Sequence, residues 1–482
     1  MVVEDLLPKL WGQVWRQYSD RTALAFREKH ISYGELDTLT SKVGEYVASR
    51  FELHFSENVV LMATGSEASV VLNLSLIRAG ITVVPVNPSL SLSELCHIID
   101  TTHPKVVISF GDDYMNEMRS ACIVNGNRLY ETAVKDQNRC QYRPNTSNSS
   151  PFPTALIAFT SGTTAAPKGV PISNSAIVWN ISTLARLWEL SCEDSLYLSL
   201  PLFHIHGLVV GLYGALSVGA SIFVEDRFSS EVLGELLDSR KVNVFFGVPT
   251  MYHRLFASGK AKYLANARLA VSGSAPLSRA LFDSILEVSG RPVVERYGMT
   301  ETLIIASNPY RGDKRPGSVG VPLPDTHVSF SRDGEIIVSS PGVFSGYLPT
   351  GQNKTVDAPS RSEFHTGDLG HMDDDYLYID GRKKDLITTG GHNVHPLEVE
   401  EVISRMDSIS EVAVVGKPSP EWGEELVAFI VANDSVDQNT IKEFARVRLS
   451  GFKVPKHVVF VESLPKNALG KLDRKALKTE YL

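Results

Sequence analysis

The residues between Phe159 and Gly169 combine the side chains that proteins use to hold a polyphosphate. Four hydroxyl side chains, two glycines and Lys168 fall within ten residues of this segment. The glycines allow backbone N–H groups to converge on an anion, and the hydroxyls and the lysine add neutral and charged donors. The segment is not a P-loop, because that motif ends in Gly-Lys-Ser/Thr whereas Pro167 precedes the lysine here. It predicts a loop that binds and releases phosphates.

A second segment, Glu295 to Glu301, places an aromatic ring, a hydroxyl and a carboxylate within seven residues. It follows an apolar stretch that predicts a strand, so we expect it at the carboxyl end of a strand, where open α/β sheets bind ligands. Tyr297 could stack there on a purine, and the Glu301 carboxylate could hold Mg²⁺, which prefers oxygen ligands. The alternative is a capped turn with a solvated glutamate.

Three later turns add polar groups and glycines. Asp368 lies in the turn Thr366 to Gly370, and its carboxylate could accept hydrogen bonds from both hydroxyls of a ribose. The turn from Gly381 to Asp385 is basic, and a charged surface turn is the alternative interpretation of it. The segment from Gly390 to Val394 begins with two glycines, which would let a narrow ligand pass close to the backbone.

Short apolar runs that alternate with helical segments must position these motifs. Predicted strands at residues 59–62, 83–88 and 106–110 alternate with predicted helices, and a second alternation follows the phosphate loop. This pattern predicts parallel, doubly wound sheets in two α/β lobes. Residues 317–338 show short strands and turns, which predict a small β-subdomain. Roughly the last hundred residues mix helices and strands and predict a separate small α+β domain.

Length and composition limit the class of protein. The chain has 482 residues, 43% hydrophobic and 21% charged, which fits a soluble globular protein of about three domain-sized units. The net charge of −8 argues against nucleic acid as the main partner. The four cysteines (Cys96, Cys122, Cys140 and Cys192) show no CxxC spacing and are typical of reduced residues in a cytoplasmic protein. We expect neither a secretion signal nor a membrane span.

The order of the motifs resembles that of the adenylate-forming superfamily, which comprises acyl-CoA synthetases, adenylation domains of nonribosomal peptide synthetases and luciferases. The resemblance extends over nearly the whole chain. It implies an N-terminal domain, residues 1–383, that binds ATP and the acid, and a mobile C-terminal domain, residues 384–482. The family usually has glycine where this chain has Ala165. Because alanine disfavours positive φ, this departure bears on how the loop handles ATP and pyrophosphate.

The resemblance implies a role for each matching residue. The implied ATP/AMP contacts are Thr160, Ser161, Gly162, Thr163, Thr164, Lys168, Ser274, Ala275, Pro276, Glu295, Arg296, Tyr297, Gly298, Met299, Asp368 and Arg382. The implied catalytic residues are His204, Thr300, Glu301 and Lys471, with Glu301 also the Mg²⁺ ligand and Lys384 the hinge. The implied coenzyme A contacts are Gly390, Gly391, Trp422 and Lys453, although simple packing remains an alternative for Trp422.

The predicted acid pocket resembles that of malonyl-CoA synthetases in residues 201–208, 245–254, 272–277 and 307–310. Its predicted residues are His206, Arg254, Ser272, Leu303 and Ile304. Arg254 and Arg296 could pair with a second carboxylate; alternatively, Arg254 caps a helix and Arg296 pairs with Glu295 or a phosphate. Residues 303–305 (Leu-Ile-Ile) are apolar where we expect polar ones, and an apolar wall would favour a bulkier hydrophobic acid.

These observations predict an acyl-CoA synthetase that forms acyl-AMP from a carboxylic acid and ATP and then acyl-CoA. The predicted cofactors are ATP/AMP, Mg²⁺ and coenzyme A, and the acid is either malonate-like or a bulkier hydrophobic acid of specialised metabolism. Three alternatives remain open. The enzyme could convert only acyl-AMP delivered by an upstream adenylating partner, it could transfer the acyl group to a carrier-protein thiol, or it could be a non-catalytic binder of acyl nucleotides.

Overall fold

The computed structural model describes residues 6–27, 29–111, 122–136, 153–160, 167–349, 363–466 and 472–481. The helices are α1 (Leu7–Gln17), α2 (Tyr33–Arg50), α3 (Glu67–Arg78), α4 (Leu92–Thr102), α5 (Gly126–Lys135), α6 (Asn174–Leu187), α7 (Gly214–Leu216), α8 (Ser230–Asp238), α9 (Pro249–Ala257), α10 (Arg279–Ser289), α11 (Pro396–Ile403), α12 (Gln438–Arg446) and α13 (Arg474–Tyr481). A π-helix spans His206–Tyr213, and 3₁₀ helices span Ala261–Asn266, Lys383–Asp385 and Gly451–Lys453.

The strands form three sheets. They are β1 (Thr22–Phe26), β2 (Lys29–Ser32), β3 (Asn58–Met62), β4 (Thr82–Val86), β5 (Val106–Ser109), β6 (Ile123–Asn125), β7 (Thr154–Thr160), β8 (Lys168–Ser173), β9 (Ser195–Leu198), β10 (Ser221–Val224), β11 (Val244–Gly247), β12 (Leu269–Ser272), β13 (Val294–Met299), β14 (Leu303–Ser307), β15 (Ser318–Pro322), β16 (His327–Phe330), β17 (Glu335–Ser339), β18 (Phe364–Asp373), β19 (Tyr376–Arg382), β20 (Ile387–Thr389), β21 (His392–Val394), β22 (Ile409–Ser419), β23 (Gly423–Ala432) and β24 (His457–Phe460).

The first lobe is a sheet of six strands in the order β6-β5-β3-β4-β7-β8. Its strands are parallel except for β8, which pairs antiparallel with β7. Strands β3 to β5 are fully or almost fully buried, as expected for a parallel sheet covered by helices on both faces. The β7–β8 hairpin brackets the predicted phosphate loop, because Thr160 is the register partner of Lys168.

The second lobe is the parallel part of a sheet of thirteen strands, in the order β1-β10-β9-β11-β12-β13. The early hairpin β1–β2 contributes to this lobe although it precedes the first lobe in sequence. Trp11 and Trp15 of α1 also contact this lobe, since their indole N–H groups donate to Ser217 and to the carbonyl of Leu216. The two lobes share one continuous core of buried side chains.

The predicted β-subdomain is continuous with the second lobe. Strand β14 pairs antiparallel with β13, and β15, β19, β18, β17 and β16 extend the same sheet. The predicted α/β class with two doubly wound lobes and a β-subdomain is therefore confirmed. The connection through β13 and β14 explains how the motif ending at Glu301 lies between the lobe and the subdomain.

The C-terminal unit has its own sheet, in the order β21-β20-β23-β22 with β24 beside β23. Helices α11 and α12 pack on one side around buried side chains such as Val399 and Ile441. Helix α13 packs elsewhere in the unit, through Leu477. The first strand of this unit begins at Ile387, just after the turn that contains Lys384. The division of the chain at residue 383 stays a prediction.

Candidate active site

Three parallel strands bring their carboxyl ends together at the predicted acid pocket. Gly247 of β11 is the register partner of Ser272 of β12, and Ser272 is the partner of Glu295 of β13. The carboxyl ends of parallel strands meet at one edge of the sheet, where ligands bind. Arg296 follows Glu295 and its guanidinium lies against Gly273, where an added Cβ would lie 2.4 Å from Nε.

Arg296 is a buried cation that has no carboxylate partner among the described residues. Its side chain has 4% exposure, and its Nε has no hydrogen-bond acceptor there. One Nη2 contact reaches Ser274 Oγ at 3.5 Å. Burial lowers the pKa of Arg296 to about 9. A guanidinium removed from water in this way is suited to pair with an anionic ligand.

Hydroxyl and imidazole groups surround this guanidinium. Ser274 Oγ lies 3.3 Å from His206 Nδ1. Ser272 is the register partner of Glu295 and therefore lies on the opposite face of the sheet from Arg296, where its buried Oγ has no hydrogen-bond partner in the described structure. Ser274 has φ +71°, a left-handed conformation that serine rarely adopts. Such strained residues gather at ligand sites, where the surrounding structure enforces them. The site therefore combines one cation, one hydroxyl and one imidazole.

A π-helix holds His206 in this cluster. It begins at His206, and π-helical turns occur often at functional sites. Gly207 allows the close packing, because an added Cβ there would lie 2.5 Å from the Pro201 carbonyl oxygen. His204 precedes the π-helix; it is half-buried and its ring centroid lies 4.5 Å from that of Phe203.

Glu295 points away from Arg296, because successive side chains of a strand face opposite sides. No ion pair joins the two among the residues described, so the structure does not support the alternative that Arg296 pairs with Glu295. Glu295 Oε2 accepts a hydrogen bond from the Leu277 N–H at 3.3 Å. Burial raises the pKa of Glu295 to about 8.

The predicted ribose contacts form one cluster. Asp368 of β18 and Arg382 of β19 are register partners, and Arg382 Nε lies 2.9 Å from Asp368 Oδ1. The Tyr297 hydroxyl donates to Asp368 Oδ2 at 2.6 Å. Burial raises the pKa of Tyr297, so its hydroxyl stays a donor. The structure thus joins the tyrosine of one predicted motif to the aspartate and the arginine of two others.

The turn between β13 and β14 carries Thr300 and Glu301. Gly298 is required there because an added Cβ would lie 2.1 Å from the Leu303 carbonyl oxygen. Met299 is the register partner of Leu303, so three residues close this hairpin. Leu303 has φ +57°, the left-handed residue that follows the turn in many three-residue hairpin loops. The hairpin presents Glu301 with 8% exposure.

Sequence analysis missed one residue beside Glu301. The Tyr347 hydroxyl donates to Glu301 Oε1 at 2.9 Å, and Lys168 Nζ lies 4.6 Å from the centre of the Tyr347 ring. Tyr347 therefore contacts both the predicted metal ligand and the predicted phosphate-binding lysine. Only the dipeptide Gly346-Tyr347 marks it in the sequence, and a lone glycine-tyrosine pair predicts no chemistry.

The predicted coenzyme A contacts lie in the C-terminal unit. Gly390 and Gly391 form the two-residue turn between β20 and β21 with φ +55° and +79°, as a type I′ hairpin requires. The Trp422 ring covers Gly390, and Lys456 Nζ lies 3.7 Å from the centre of that ring. Lys453 is instead paired with Glu398 at 2.6 Å.

Two predicted pocket residues have little access to a ligand in this structure. Leu303 and Ile304 have 1% and 0% exposure and belong to the main core, so they form no open apolar wall.

Arg254 is exposed on α9, with its guanidinium 5.3 Å from the centre of the Phe228 ring. Ala275 and Pro276 lie in the turn before α10, next to Ser274. Ser161, Gly162, Thr163, Thr164 and Lys471, together with Ala165, lie outside the described residues.

Comparisons with known proteins agree with this geometry. The AMP-binding enzyme family matches residues 11–348, and the AMP-binding enzyme C-terminal domain matches residues 398–471. The 2-succinylbenzoate–CoA ligase of Listeria innocua is 31% identical over 463 residues, which are 95% of this chain and 96% of the relative. No helix in the described part of the chain is long and apolar enough to cross a membrane.

Solved structures of related ligases share the fold. ATP-bound MatB from Rhodopseudomonas palustris is 30% identical, with a TM-score of 0.90 over 98% of this chain and 99% of that one. A malonyl-CoA ligase in a ternary product complex with methylmalonyl-CoA and AMP is 34% identical, with a TM-score of 0.65 over 93% of this chain and 97% of that one. The chain belongs to the AMP-binding enzyme family and is an adenylate-forming acid–thiol ligase.

Proposed function

We propose that this ligase activates a dicarboxylic acid and joins it to coenzyme A. One carboxylate of the acid attacks the α-phosphorus of ATP, which gives acyl-AMP and releases pyrophosphate. The thiol of coenzyme A then attacks the acyl carbon, which gives acyl-CoA and releases AMP. The observation that carries this proposal is the buried Arg296 guanidinium without a carboxylate partner among the described residues.

Arg296 favours an acid with a second negative charge. A buried guanidinium is costly unless an anion pairs with it, and a carboxylate can accept two parallel hydrogen bonds from it. Ser274 and His206, which lie beside this guanidinium, supply further polar groups for the same ligand. Two similar proteins are consistent with this, since 2-succinylbenzoate carries two carboxylates and the methylmalonyl group keeps one free carboxylate, whereas the indoleacetate named for another relative carries only one.

The bulkier hydrophobic acid of specialised metabolism is less well supported. That interpretation rested on Leu303 and Ile304 as an apolar pocket wall, and both side chains pack in the core. A dicarboxylic acid with an aromatic ring would have both a second carboxylate and hydrophobic bulk, and 2-succinylbenzoate is an acid of this kind. We therefore propose the second carboxylate as the common requirement and leave the size of the acid to experiment.

The residues near Glu301 fit a magnesium ion that binds together with ATP. No group of three or more His, Cys, Asp or Glu side chains that could hold a metal occurs among the described residues. Mg²⁺ is commonly bound by one or two carboxylates and by the phosphates of its substrate. Glu301 can be that carboxylate, since Tyr347 holds one of its oxygens. The ion would neutralise charge on the phosphates.

The remaining proposed roles are those that the sequence motifs imply. Asp368 and Arg382 hold the ribose, Tyr297 covers the adenine, Thr300 contacts the α-phosphate, and Lys168 and the loop before it bind the outer phosphates. Lys471 stabilises the charge that develops as the carboxylate attacks, and His204 is a further proposed catalytic residue. Gly390, Gly391 and Trp422 line the path of the thiol arm. Lys453 is paired with Glu398, and Lys456, which contacts Trp422 and pairs with Glu425 at 3.3 Å, is an additional basic candidate.

We also propose that the C-terminal unit rotates about Lys384 between the two half-reactions. The whole-chain TM-score is 0.90 against an ATP-bound relative but 0.65 against the complex with methylmalonyl-CoA and AMP, although the second is more similar in sequence. A different arrangement of similar domains would produce this contrast, and such rearrangements commonly gate catalysis.

We propose coenzyme A rather than a carrier-protein thiol as the acceptor, and the cytoplasm as the location.

The first test is acid-dependent exchange of pyrophosphate into ATP without coenzyme A. The panel comprises malonate, methylmalonate, succinate and 2-succinylbenzoate, each beside a monocarboxylic acid of equal length. Exchange with dicarboxylic acids alone supports the proposal, and exchange with only monocarboxylic acids contradicts it. If no acid supports exchange, synthetic acyl-AMP and coenzyme A are supplied. Acyl-CoA formation from acyl-AMP alone would identify the half-reaction enzyme that Ala165 suggests.

A further inference from the structure

A short segment that follows β17 within the β-subdomain connects the two halves of the proposed ATP site. This segment, residues 340–348, is called the clamp here. The Phe344 N–H donates to the carbonyl oxygen of Glu301, and the Leu348 N–H donates to the carbonyl oxygen of Gly169, both at 2.8 Å. Glu301 belongs to the β13–β14 turn, and Gly169 follows Lys168 in β8. Main-chain bonds thus fix the clamp between the metal-binding turn and the phosphate-binding hairpin.

Tyr347 is the clamp residue whose side chain contacts the chemical groups of both halves. Its hydroxyl donates to Glu301 Oε1 at 2.9 Å, and Glu301 is otherwise almost fully buried. A donor on one oxygen fixes the plane of the carboxylate and leaves the other oxygen for a cation. Such partners of metal-binding carboxylates often matter as much as the ligands, and their loss costs 10- to 100-fold in metal affinity or activity.

The ring of Tyr347 acts on the second charged group. Lys168 Nζ lies 4.6 Å from the ring centre, within the range of a cation–π interaction. Lys168 is exposed, and its contact with this ring restrains a flexible side chain. One side chain therefore restrains the proposed Mg²⁺ ligand through its hydroxyl and the phosphate-binding lysine through its ring.

We propose that Tyr347 is a positioning residue for the binding of Mg²⁺·ATP. It aligns Glu301 and Lys168 before the nucleotide binds. This inference rests on the proposed function, because it assigns Glu301 to Mg²⁺ and Lys168 to phosphate. It predicts separable effects, since the hydroxyl donates to Glu301 and the ring contacts Lys168. It also confines Tyr347 to the first half-reaction, because attack of the thiol on acyl-AMP involves neither pyrophosphate nor its Mg²⁺.

A purely structural role for the hydroxyl is a distinguishable alternative. The clamp keeps its main-chain bonds at Phe344 and Leu348 in Tyr347→Phe, and the edge-on contact of the ring with Phe344 (centroids 4.8 Å apart) is also kept. We therefore expect Y347F to melt within about 2 °C of the wild type, as for a substitution that disturbs no packing. A large loss of thermal stability would instead indicate a structural role.

The experiment compares Y347F and Y347L with Y376F as the matched control. The Tyr376 hydroxyl donates to the carbonyl oxygen of Asp313 at 2.8 Å, so Y376F also removes one hydroxyl bond, but at a surface turn. Calorimetry measures ATP binding with and without Mg²⁺. Kinetics measures pyrophosphate exchange as a function of Mg²⁺ concentration, and the formation of acyl-CoA from supplied acyl-AMP.

We expect Y347F to need roughly 10-fold more Mg²⁺ for half-maximal exchange and to bind ATP normally in the absence of Mg²⁺. Y347L should in addition weaken ATP binding without Mg²⁺, because it removes the ring beneath Lys168. Neither variant should slow acyl-CoA formation from acyl-AMP, and Y376F should resemble the wild type throughout.

Two results would overturn the inference. The first is an unchanged Mg²⁺ dependence in Y347F, and the second is an equal loss in both half-reactions. Failure of the proposed function looks different, since the wild-type protein would then exchange pyrophosphate with no acid or with monocarboxylic acids only. In that case the calorimetric comparison of ATP binding with and without Mg²⁺ still decides the role of Tyr347.

Discussion

Arg296 shows how a single residue can be unfavourable for folding and useful for binding. Its guanidinium is 4% exposed and lacks a carboxylate partner among the described residues. A protein keeps such a charge only where the cost is offset, and a ligand that carries the opposite charge provides the offset. The sequence indicated the arginine, but its burial depends on strands distant in sequence and is visible only in the fold.

We predict opposite changes in stability and activity for Arg296→Met. Methionine keeps an apolar stem of similar length and removes the buried charge, so the free energy of unfolding without ligand should rise by roughly 1–3 kcal/mol. The KM for a dicarboxylic acid should rise at least about 100-fold, since a charged hydrogen-bonded pair is lost. Denaturant unfolding and exchange kinetics measure the two effects. R279M, at a surface position paired with Asp283, is the control; a fall in stability with unchanged KM would contradict the prediction.

The raised pKa of Glu295 should make the free energy of unfolding depend on pH. Burial raises its folded pKa from 4.5 to about 8, so between these values the folded protein holds a proton that the unfolded chain has lost. Stability therefore falls as pH rises from about 4.5 to 8, by up to roughly 4 kcal/mol. Glu295→Gln stays neutral and can still accept from the Leu277 N–H.

Unfolding free energies of wild type and E295Q at pH 5, 6, 7 and 8 test this expectation. The difference between the two proteins cancels the titration of other groups. E295Q should become progressively more stable than the wild type toward pH 8 and should match it near pH 5. A difference that does not change with pH would mean that Glu295 keeps an ordinary pKa in the folded protein.

At the scale of elements, the ends of strands determine where the chemistry occurs. Sequence patterns predicted the alternating strands and helices because hydrophobic periodicity is a local signal. The π-helix that begins at His206 and the left-handed Leu303 were not predictable in this way. Each depends on a neighbouring element, since Gly207 packs on the Pro201 carbonyl and Leu303 follows a three-residue hairpin turn.

Long-range contacts explain the other omissions. Tyr347 lies 46 positions from Glu301 and joins it only because the clamp returns to the β13–β14 turn. The environment of the apolar run 303–305 also depends on tertiary contacts. Its composition gave no indication of whether the strand faces the pocket or the core, and Leu303 and Ile304 pack in the core.

Substitution of Gly273, the residue after β12, tests how closely the backbone must approach the Arg296 guanidinium. An added Cβ would lie 2.4 Å from Arg296 Nε and 2.5 Å from Cζ, so Gly273→Ala must displace the guanidinium. A displacement near 1 Å can cost up to about 100-fold in activity, so the KM for the acid should rise roughly 10- to 100-fold. The fold should persist, because the displaced atoms end a flexible side chain.

Gly12→Ala is the matched control for G273A. Its nearest added contact is Arg16 Nη1 at 3.9 Å, and alanine is favourable in a helix. Exchange kinetics with the preferred acid and thermal unfolding are measured for both variants. An unchanged KM in G273A would show that Arg296 can move without loss of acid binding, and that its position in this structure is not required to bind the acid.

At the scale of the whole molecule, the C-terminal unit must serve both half-reactions. It meets the rest of the chain at the turn Lys383–Asp385, where Arg474 Nε of α13 lies 3.8 Å from Asp385 Oδ2. Arg474 is also paired with Glu400 of α11 at 2.6 Å, so the turn is tied to the interior of the unit. Bonds of this kind allow the unit to move as one body about the turn.

Lys384→Pro tests rotation at that turn. Proline fixes φ near −65°, which restricts the backbone rotation that a hinge needs. If the arrangement resembles that of the ATP-bound relative, K384P should keep pyrophosphate exchange within about threefold and lower acyl-CoA formation on the order of 100-fold. K384Q removes the same charge without restricting φ, so it should retain both half-reactions. Equal defects in K384P and K384Q would assign the effect to the lost ammonium, whose pKa burial lowers, and would exclude rotation about this residue as its cause.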